Sequence, residues 1–540
     1  MFKFLKISVA SLVLVAFSFA KGGAQVWQWS IAVDSVVSPE TNAHPTAFLW
    51  IPDNCKHVRA VVVGQHNMIE EGIFEHASFR KAMSDLDFAV VWVSPNFSIT
   101  FDFNNRAGDH FDAMMKKLAD SSGYSELATA PVVPIGHSAL ASYPWNFAAW
   151  SPGRTLAAIS IHGDAPLTKL TGSGRPNPDW GRRTIEGVPG LFVMGEYEWW
   201  EDRMKPGLDY VSKYPKTPIT FFADAGHGHF DYSDALIEYI SLFIRKAAKY
   251  RLPDKIKADK VIQLKPIDPS RGWLMDRWRK DSLPLATAAP YQKFAGNSYE
   301  TSWVFDKEMV SATEQFYARA RGKKNQYLGF IQHANMVKPA GGHAQFNIPF
   351  IPLRDGISFR LKAFFADTSK VKPVNNHAST PLVINRICGP VAKINDTTFQ
   401  IRFYRMGFNN PKRSNDIWLL ASNDGDAVYK STVQQLDMRF PLVNKEGKKQ
   451  AITFPVVPNQ SAGIQSLKLI AASDANEAVH YYIKEGPAEV DGEMITFTKI
   501  PPKSKFPVKI TVVAWQYGRS AEPKLQSAEP VERTFYISKG

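Results

Sequence analysis

The chain has 540 residues, 44% of them hydrophobic and 21% charged, which excludes a largely disordered protein and leaves room for about two to four domains. Its net charge of +13 comes from scattered Lys and Arg with short clusters such as Lys445, Lys448 and Lys449. A solvated basic surface or affinity for acidic polymers such as uronic-acid polysaccharides fits this, whereas the stripe or basic arm of a nucleic-acid binder is missing.

At the N-terminus Lys3 and Lys6 precede an apolar run, Ile7–Phe19, and small residues at Ala20 and Ala24. This predicts a signal peptide over residues 1–24 and export to the periplasm or beyond; the run is too short for a membrane span, and no other long apolar stretch follows. Two cysteines, Cys55 and Cys388, are expected as buried free thiols, too few for a disulfide framework or a cysteine-based metal site.

Residues 25–252 alternate strand-like and helix-like segments. Apolar runs predict strands at Ala47–Ile51, Ala60–Val63, Phe88–Val93, Pro131–Ile135, Leu156–Ile161, Gly190–Met194 and Ile219–Ala223. Runs of this kind suit strands buried on both faces of a parallel sheet. Helical spacing marks Phe79–Leu86, Asp109–Ala119 and Tyr232–Lys249. The fold class is therefore α/β with a mainly parallel sheet. Residues 253–325 read as a linker and a Trp-rich connecting segment, with a helix over Lys307–Arg321. Residues 326–456 read as a β-sandwich-like domain, in which Ile357–Phe365 and Thr398–Tyr404 alternate apolar and polar residues. A second linker is expected at Val456–Gly463. Residues 464–540, with five short strands, are expected to form an Ig-like β-sandwich without a catalytic role.

The chemistry concentrates in Pro131–Ser142, where a buried strand ends in Gly136-His137-Ser138-Ala139 and a helix of small residues follows. A serine on such a turn is lifted out of the sheet, with helix-start N–H groups aimed at the same point. Leu140 stands where Gly-x-Ser-x-Gly has its last glycine. A serine hydroxyl needs a base, and the base an orienting acid. Strand Leu191–Met194 runs into Gly195-Glu196-Tyr197-Glu198, and Ile219–Ala223 into Asp224-Ala225-Gly226-His227-Gly228-His229. The order Ser138, Glu198, His227 fits a nucleophile, acid and base.

Across about Val58–Tyr250 these three motifs resemble secreted bacterial members of the α/β-hydrolase superfamily, of the carbohydrate-esterase kind. The resemblance implies Ser138 as nucleophile, His227 as base with His229 as its rival, and Glu198 as acid with Glu196, Glu201 and Asp202 nearby. It also implies an oxyanion hole from the backbone N–H groups of Ala139 and Met68, the latter in His66-Asn67-Met68 after the third strand. Tyr143, Trp145, Trp180, Trp199 and Trp200 are candidate sugar platforms, Trp145, Trp199 and Trp200 above all, and His229 a candidate substrate contact. No cofactor and no metal is expected, although His227, His229 and Asp231 together have ligand character. The expected activity is removal of acyl (acetyl or similar) or methyl esters from a polysaccharide or oligosaccharide; a serine peptidase or an inactive carbohydrate-binding protein are the alternatives. The sequence predicts no oligomeric state.

Overall fold

The computed structural model describes residues 26–169, 171–198, 200–253, 261–280, 282–340 and 345–539. The expected signal peptide at 1–24 lies outside them. An eight-stranded sheet organises the first half: β1 Trp29–Ala32, β2 Thr46–Trp50, β3 Ala60–Gln65, β4 Phe88–Ser94, β5 Val132–His137, β6 Ala158–Ile161, β7 Gly190–Gly195 and β8 Ile219–Asp224. Their order across the sheet is β1-β2-β4-β3-β5-β6-β7-β8. β1 and β2 join antiparallel, and β4 through β8 run parallel. This strand order and direction are those of the α/β-hydrolase fold. β1 is the one strand of this sheet that the sequence did not announce.

Successive side chains of a strand point to opposite faces, so each strand feeds two cores. Val61, Val63, Val91 and Val93 pack with α3 (Ala107–Ser122), while Val62, Phe88, Val90 and Trp92 pack with the helices of the other face. Those are α1 (Ile69–Phe74), α2 (Ala77–Asp85), α5 (Trp200–Lys213) and α6 (Asp234–Arg251), and α4 (Tyr143–Trp150) contributes to both cores. Burial on both faces is why these strands read as unbroken apolar runs.

The Trp-rich segment is part of this body and not a connector. Trp273–Asp276 pairs with Ala289–Pro290 and Thr301–Val304. The last of these covers the edge of β8: Phe221 N–H donates to Ser302 Oγ at 2.9 Å, and Thr220 Oγ1 to the Trp303 carbonyl at 2.6 Å. An uncovered edge strand invites aggregation. Trp278, Trp303 and Tyr317 are buried in the core of the α/β unit, and the following helix spans Lys307–Tyr317.

Beyond it the chain is built of small, mostly antiparallel sheets. Val383–Cys388, Asp416–Asn423 and Thr432–Arg439 form one with the short strand Asn347–Pro349, and Ser358–Arg360, Thr398–Ile401 and Val391–Asn395 form the facing one. The single strand expected over Ile357–Phe365 is two. Ser358–Arg360 pairs with Thr398–Gln400, and after buried Leu361 the chain changes partner, so that Lys362–Ala366 pairs with Tyr327–Ile331. The C-terminal unit has a four-stranded sheet, with Val508–Trp515 and Val531–Ser538 at its centre, and a three-stranded one around a shared core. Its first strand, Gln460–Ser461, falls inside the expected second linker.

These units are tightly joined. Tyr482, Val513, Trp515 and Tyr517 of the C-terminal unit complete the core of the preceding one, with Trp515 and Phe403 ring centroids 4.8 Å apart. The middle unit grips the α/β unit through buried charges. Arg405 Nη2 reaches Glu71 Oε1 at 2.8 Å and also contacts Glu75, while Arg386 adds longer pairs to both at 3.5 and 3.7 Å. Removing one partner of a buried ion pair strands the other charge. Arg405→Ala should therefore cost on the order of 3–5 kcal/mol of unfolding free energy, measurable by denaturant titration.

Candidate active site

Ser138 follows directly on β5, and its backbone is left-handed, φ 53°. For a residue with a side chain that conformation is costly and persists only where the surroundings enforce it. Here small residues do so. A Cβ on Gly136 would collide with the Leu140 carbonyl, and one on Gly163 with the Ala141 methyl. A Cβ on Gly172 would lie 2.5 Å from the Ser138 carbonyl oxygen and 3.3 Å from the Ala139 nitrogen. The expected helix does not start at once: Ser138–Leu140 is a 3-10 turn, and α4 begins at Tyr143. Leu140, where a glycine was expected, is buried without disturbing the turn.

Of the two histidines in the loop after β8, the structure turns His229 to the serine. Ser138 Oγ lies 2.6 Å from His229 Nε2, and His229 Nδ1 lies 2.7 Å from Glu198 Oε2. The expectation for His227 is corrected. His227 is buried, and its Nδ1 lies 3.0 Å from Asp231 Oδ1. Glu196 is also placed elsewhere: its Oε2 accepts the Gly226 N–H at 2.7 Å, with Lys430 Nζ 3.6 Å from its other oxygen. Glu201 pairs with Arg277, and Asp202 is exposed.

Of the expected oxyanion pair, the structure rules out Met68. The Met68 N–H is committed to Glu70 Oε2 at 2.9 Å and is unavailable to a substrate. Glu70 Oε1 accepts the His137 N–H, also at 2.9 Å, so one buried carboxylate ties the loop after β3 to the end of β5. Burial raises the Glu70 pKa to about 7 against the pull of those N–H bonds. Ala139 sits in the first turn of the 3-10 segment, where N–H groups have no intrahelical acceptor. Gly172, which would crowd it with any side chain, is held by its N–H to Asp164 Oδ1 at 2.9 Å. Gly172→Ala should lower turnover by about tenfold or more, through distortion of the serine turn, read as kcat on a small ester.

A second layer of histidines holds the loop. The His229 carbonyl accepts from His137 Nε2 at 2.7 Å and from His162 Nδ1 at 2.9 Å. His162 Nε2 faces Asp224 Oδ2 at 3.3 Å. A carbonyl and a carboxylate only accept, so His162 donates from both nitrogens and is an imidazolium. Burial opposes that charge, but the hydrogen bond and charge of Asp224 outweigh it and raise the pKa to about 9. For His227 burial is likewise overcome by Asp224 and Asp231, again giving about 9. Both values exceed that of an unfolded histidine, about 6.5. Their stabilisation is complete below that pH and is lost as pH rises through about 9. Unfolding free energy should thus fall between pH 6.5 and 9, by on the order of 1–3 kcal/mol per histidine. His227→Gln should flatten this slope in thermal melts across the range.

Asp224, His227 and Asp231 each bring one ligand-type atom within 4.8 Å of the others, the one group of that kind among the described residues. A cation could be held there. Yet both Asp231 oxygens are already engaged, by His227 Nδ1 and by the Gly228 N–H at 3.1 Å. The charged histidines supply the compensating positive charge.

Among the described residues, the expected sugar platforms are core residues. Trp145 is buried and donates Nε1–H to the Asp164 carbonyl at 2.6 Å, with its ring filling the space above Gly190. Trp200 is buried and donates to the Trp278 carbonyl at 3.2 Å. Tyr143 and Trp180 are buried as well. Trp199 lies outside the described residues. The exposed aromatic beside Glu198 is instead Tyr197.

Tyr197, Glu198 and His229 open onto a cleft of about 590 Å³, whose other wall is the middle β unit, with Tyr327, Gln434 and Lys370. No motif pointed to that wall, because its residues lie far along the chain and meet the site only through tertiary packing.

No protein-family model and no curated protein matches the chain. Solved structures are similar over the N-terminal α/β portion. A dienelactone hydrolase from Anabaena variabilis is 13% identical, with a TM-score of 0.28, covering 41% of this chain and 96% of that one. Est1E from Butyrivibrio proteoclasticus is 13% identical, with a TM-score of 0.28, covering 41% of this chain and 100% of that one. An S-formylglutathione hydrolase from Agrobacterium tumefaciens is 15% identical, with a TM-score of 0.29, covering 41% of this chain and 92% of that one.

Proposed function

We propose that the protein is a serine ester hydrolase acting on acyl or methyl esters of saccharides. The observation that carries this reading is the chain of contacts Ser138 Oγ–His229 Nε2–Glu198 at 2.6 and 2.7 Å, built on a serine held left-handed. In this reading Ser138 Oγ attacks the ester carbonyl while His229 Nε2 takes its proton. Glu198 holds the Nδ1–H and stabilises the imidazolium that forms. The Ala139 N–H faces the developing oxyanion. His229 then gives the proton to the leaving alcohol, the C–O bond breaks, and an acyl-Ser138 ester remains. Water, deprotonated by the same imidazole, releases the acid and restores the serine.

The amide- and tyrosine-lined cleft beside His229 supports a hydroxyl-rich substrate. The basic, apolar and small-residue pattern of residues 1–24 supports action outside the cytoplasm. Product analysis on acetylated, methyl-esterified and feruloylated polysaccharides tests the proposal. Release of acetate, methanol or ferulate is expected. Release of new amino groups from peptides, with no ester cleaved, would overturn it.

A further inference from the structure

The cleft beside His229 has an unusual charge arrangement. Among the described residues its one lining carboxylate is Glu198, already against His229 Nδ1, while Lys280 and Lys370 both line it. Lys280 Nζ sits 5.7 Å from the centre of the exposed Tyr197 ring. Lys370 is half-buried, and no carboxylate among the described residues forms an ion pair with it. Its Nζ donates to two amide oxygens, Gln434 Oε1 at 2.7 Å and Gln345 Oε1. An ammonium has three donors, so one remains.

The placement of this lysine is built into the fold. Lys370 and Gln345 both have left-handed backbones, φ 61° and 62°. Neither is glycine, so each conformation is held at a cost. The Lys370 loop lies directly over Gly329, where any Cβ would strike the Lys370 carbonyl and crowd the Phe364 ring. Two strained residues and a glycine thus hold a partly desolvated cation at the wall opposite His229, without a counter-ion among the described residues. Burial alone pushes the pKa of that lysine down, the direction expected of a cation that an anionic ligand would relieve.

We infer that this cleft binds an acidic saccharide, a uronate-type sugar whose free carboxylate is taken by Lys370 while a neighbouring ester is presented to Ser138. The inference deepens the ester-hydrolase reading for the reaction, but its binding component stands independently of catalysis. A carboxylate completes the charge on Lys370 through a charge-assisted hydrogen bond. The surrounding amides and Tyr197 suit sugar hydroxyls and ring C–H faces, and the net charge of +13 favours a polyanion at long range.

The test is titration calorimetry on the full chain carrying Ser138→Ala, with a hexuronate oligosaccharide, a neutral hexose oligosaccharide of equal length and an aspartate-rich peptide of equal charge. The hexuronate should bind about 10- to 100-fold more tightly than the neutral sugar, the range set by one charge-assisted contact. That advantage should shrink at about 0.5 M salt. It should disappear in Lys370→Gln and persist in Lys370→Arg, which keeps the charge and shows that the loop still folds. Equal binding of the two sugars, or an advantage that survives Lys370→Gln, would overturn the inference, and equal binding of the peptide would overturn the saccharide assignment. Wild-type hydrolysis of 4-nitrophenyl acetate is scored separately. Its absence would sink the ester-hydrolase reading while leaving the binding result to decide the ligand.

Discussion

Ser138→Ala should reduce turnover of a small ester such as 4-nitrophenyl acetate by about 10⁴-fold or more. In the proposed mechanism the residue forms the covalent intermediate, so its loss would not be offset by binding or by the Ala139 N–H. Alanine adds no atom to the turn and keeps the same Cβ, so the fold should be retained with the backbone strain unchanged. The useful comparison is therefore kcat beside a melting curve. A dead enzyme with an unchanged melting temperature assigns the loss to chemistry. Near-full activity in this variant would remove Ser138 from the mechanism.

The second large effect separates the two histidines of one loop. His229→Ala should lose about 10³- to 10⁵-fold in kcat with a smaller loss of stability than His227→Ala, since His229 is part-exposed and its two ring nitrogens meet Ser138 and Glu198, although its ring also packs on Phe230. His227→Ala should do the reverse. It strips Asp231 and Asp224 of a buried cation, at a cost on the order of 3–5 kcal/mol, and affects kcat only as far as the loop that presents His229 relaxes. Measured on the same preparations, kcat and unfolding free energy should sort the two variants into opposite corners. A catalytically dead, fully stable His227→Ala would reverse the assignment.

The two-residue displacement of the base shows what a local pattern can and cannot carry. The loop after β8 was legible because an apolar run ends in Asp224-Ala225-Gly226-His227. Which imidazole meets the serine is settled by partners that no spacing reveals. Asp231 takes His227 inward, and His137 and His162 grip the His229 carbonyl, leaving its ring to Ser138. Ser138 and Glu198 were legible for the opposite reason: each stands at the end of a strand buried on both faces, and strand ends fix position within a residue or two. The Met68 donor failed because Glu70, two residues on, turns its carboxylate back onto that N–H. Tryptophans are poor guides from sequence, since the same ring suits a platform or a core; Trp145 and Trp200 have buried Nε1–H partners and belong to the core.

The strands of the parallel sheet were read within a few residues, because a continuous apolar run of this length has few other uses in a strand–helix alternation. The far half was read as the right kind of structure but as separate pieces. Its joints depend on long-range burial: Trp515 in the neighbouring core, Arg405 against Glu71, and Lys370 opposite His229. A consequence follows for truncation. Removing residues 464–540 exposes the core that Trp515 and Tyr517 complete, so lost activity in that truncation would report unfolding before it reported chemistry.

The most direct measurement is labelling with a fluorophosphonate followed by peptide mapping of the intact chain. Phosphonylation at Ser138 is expected, at a rate that falls sharply in His229→Ala and is largely kept in folded His227→Ala. An adduct on another residue, or none at all on wild-type protein that hydrolyses esters, would contradict the Ser138–His229–Glu198 account.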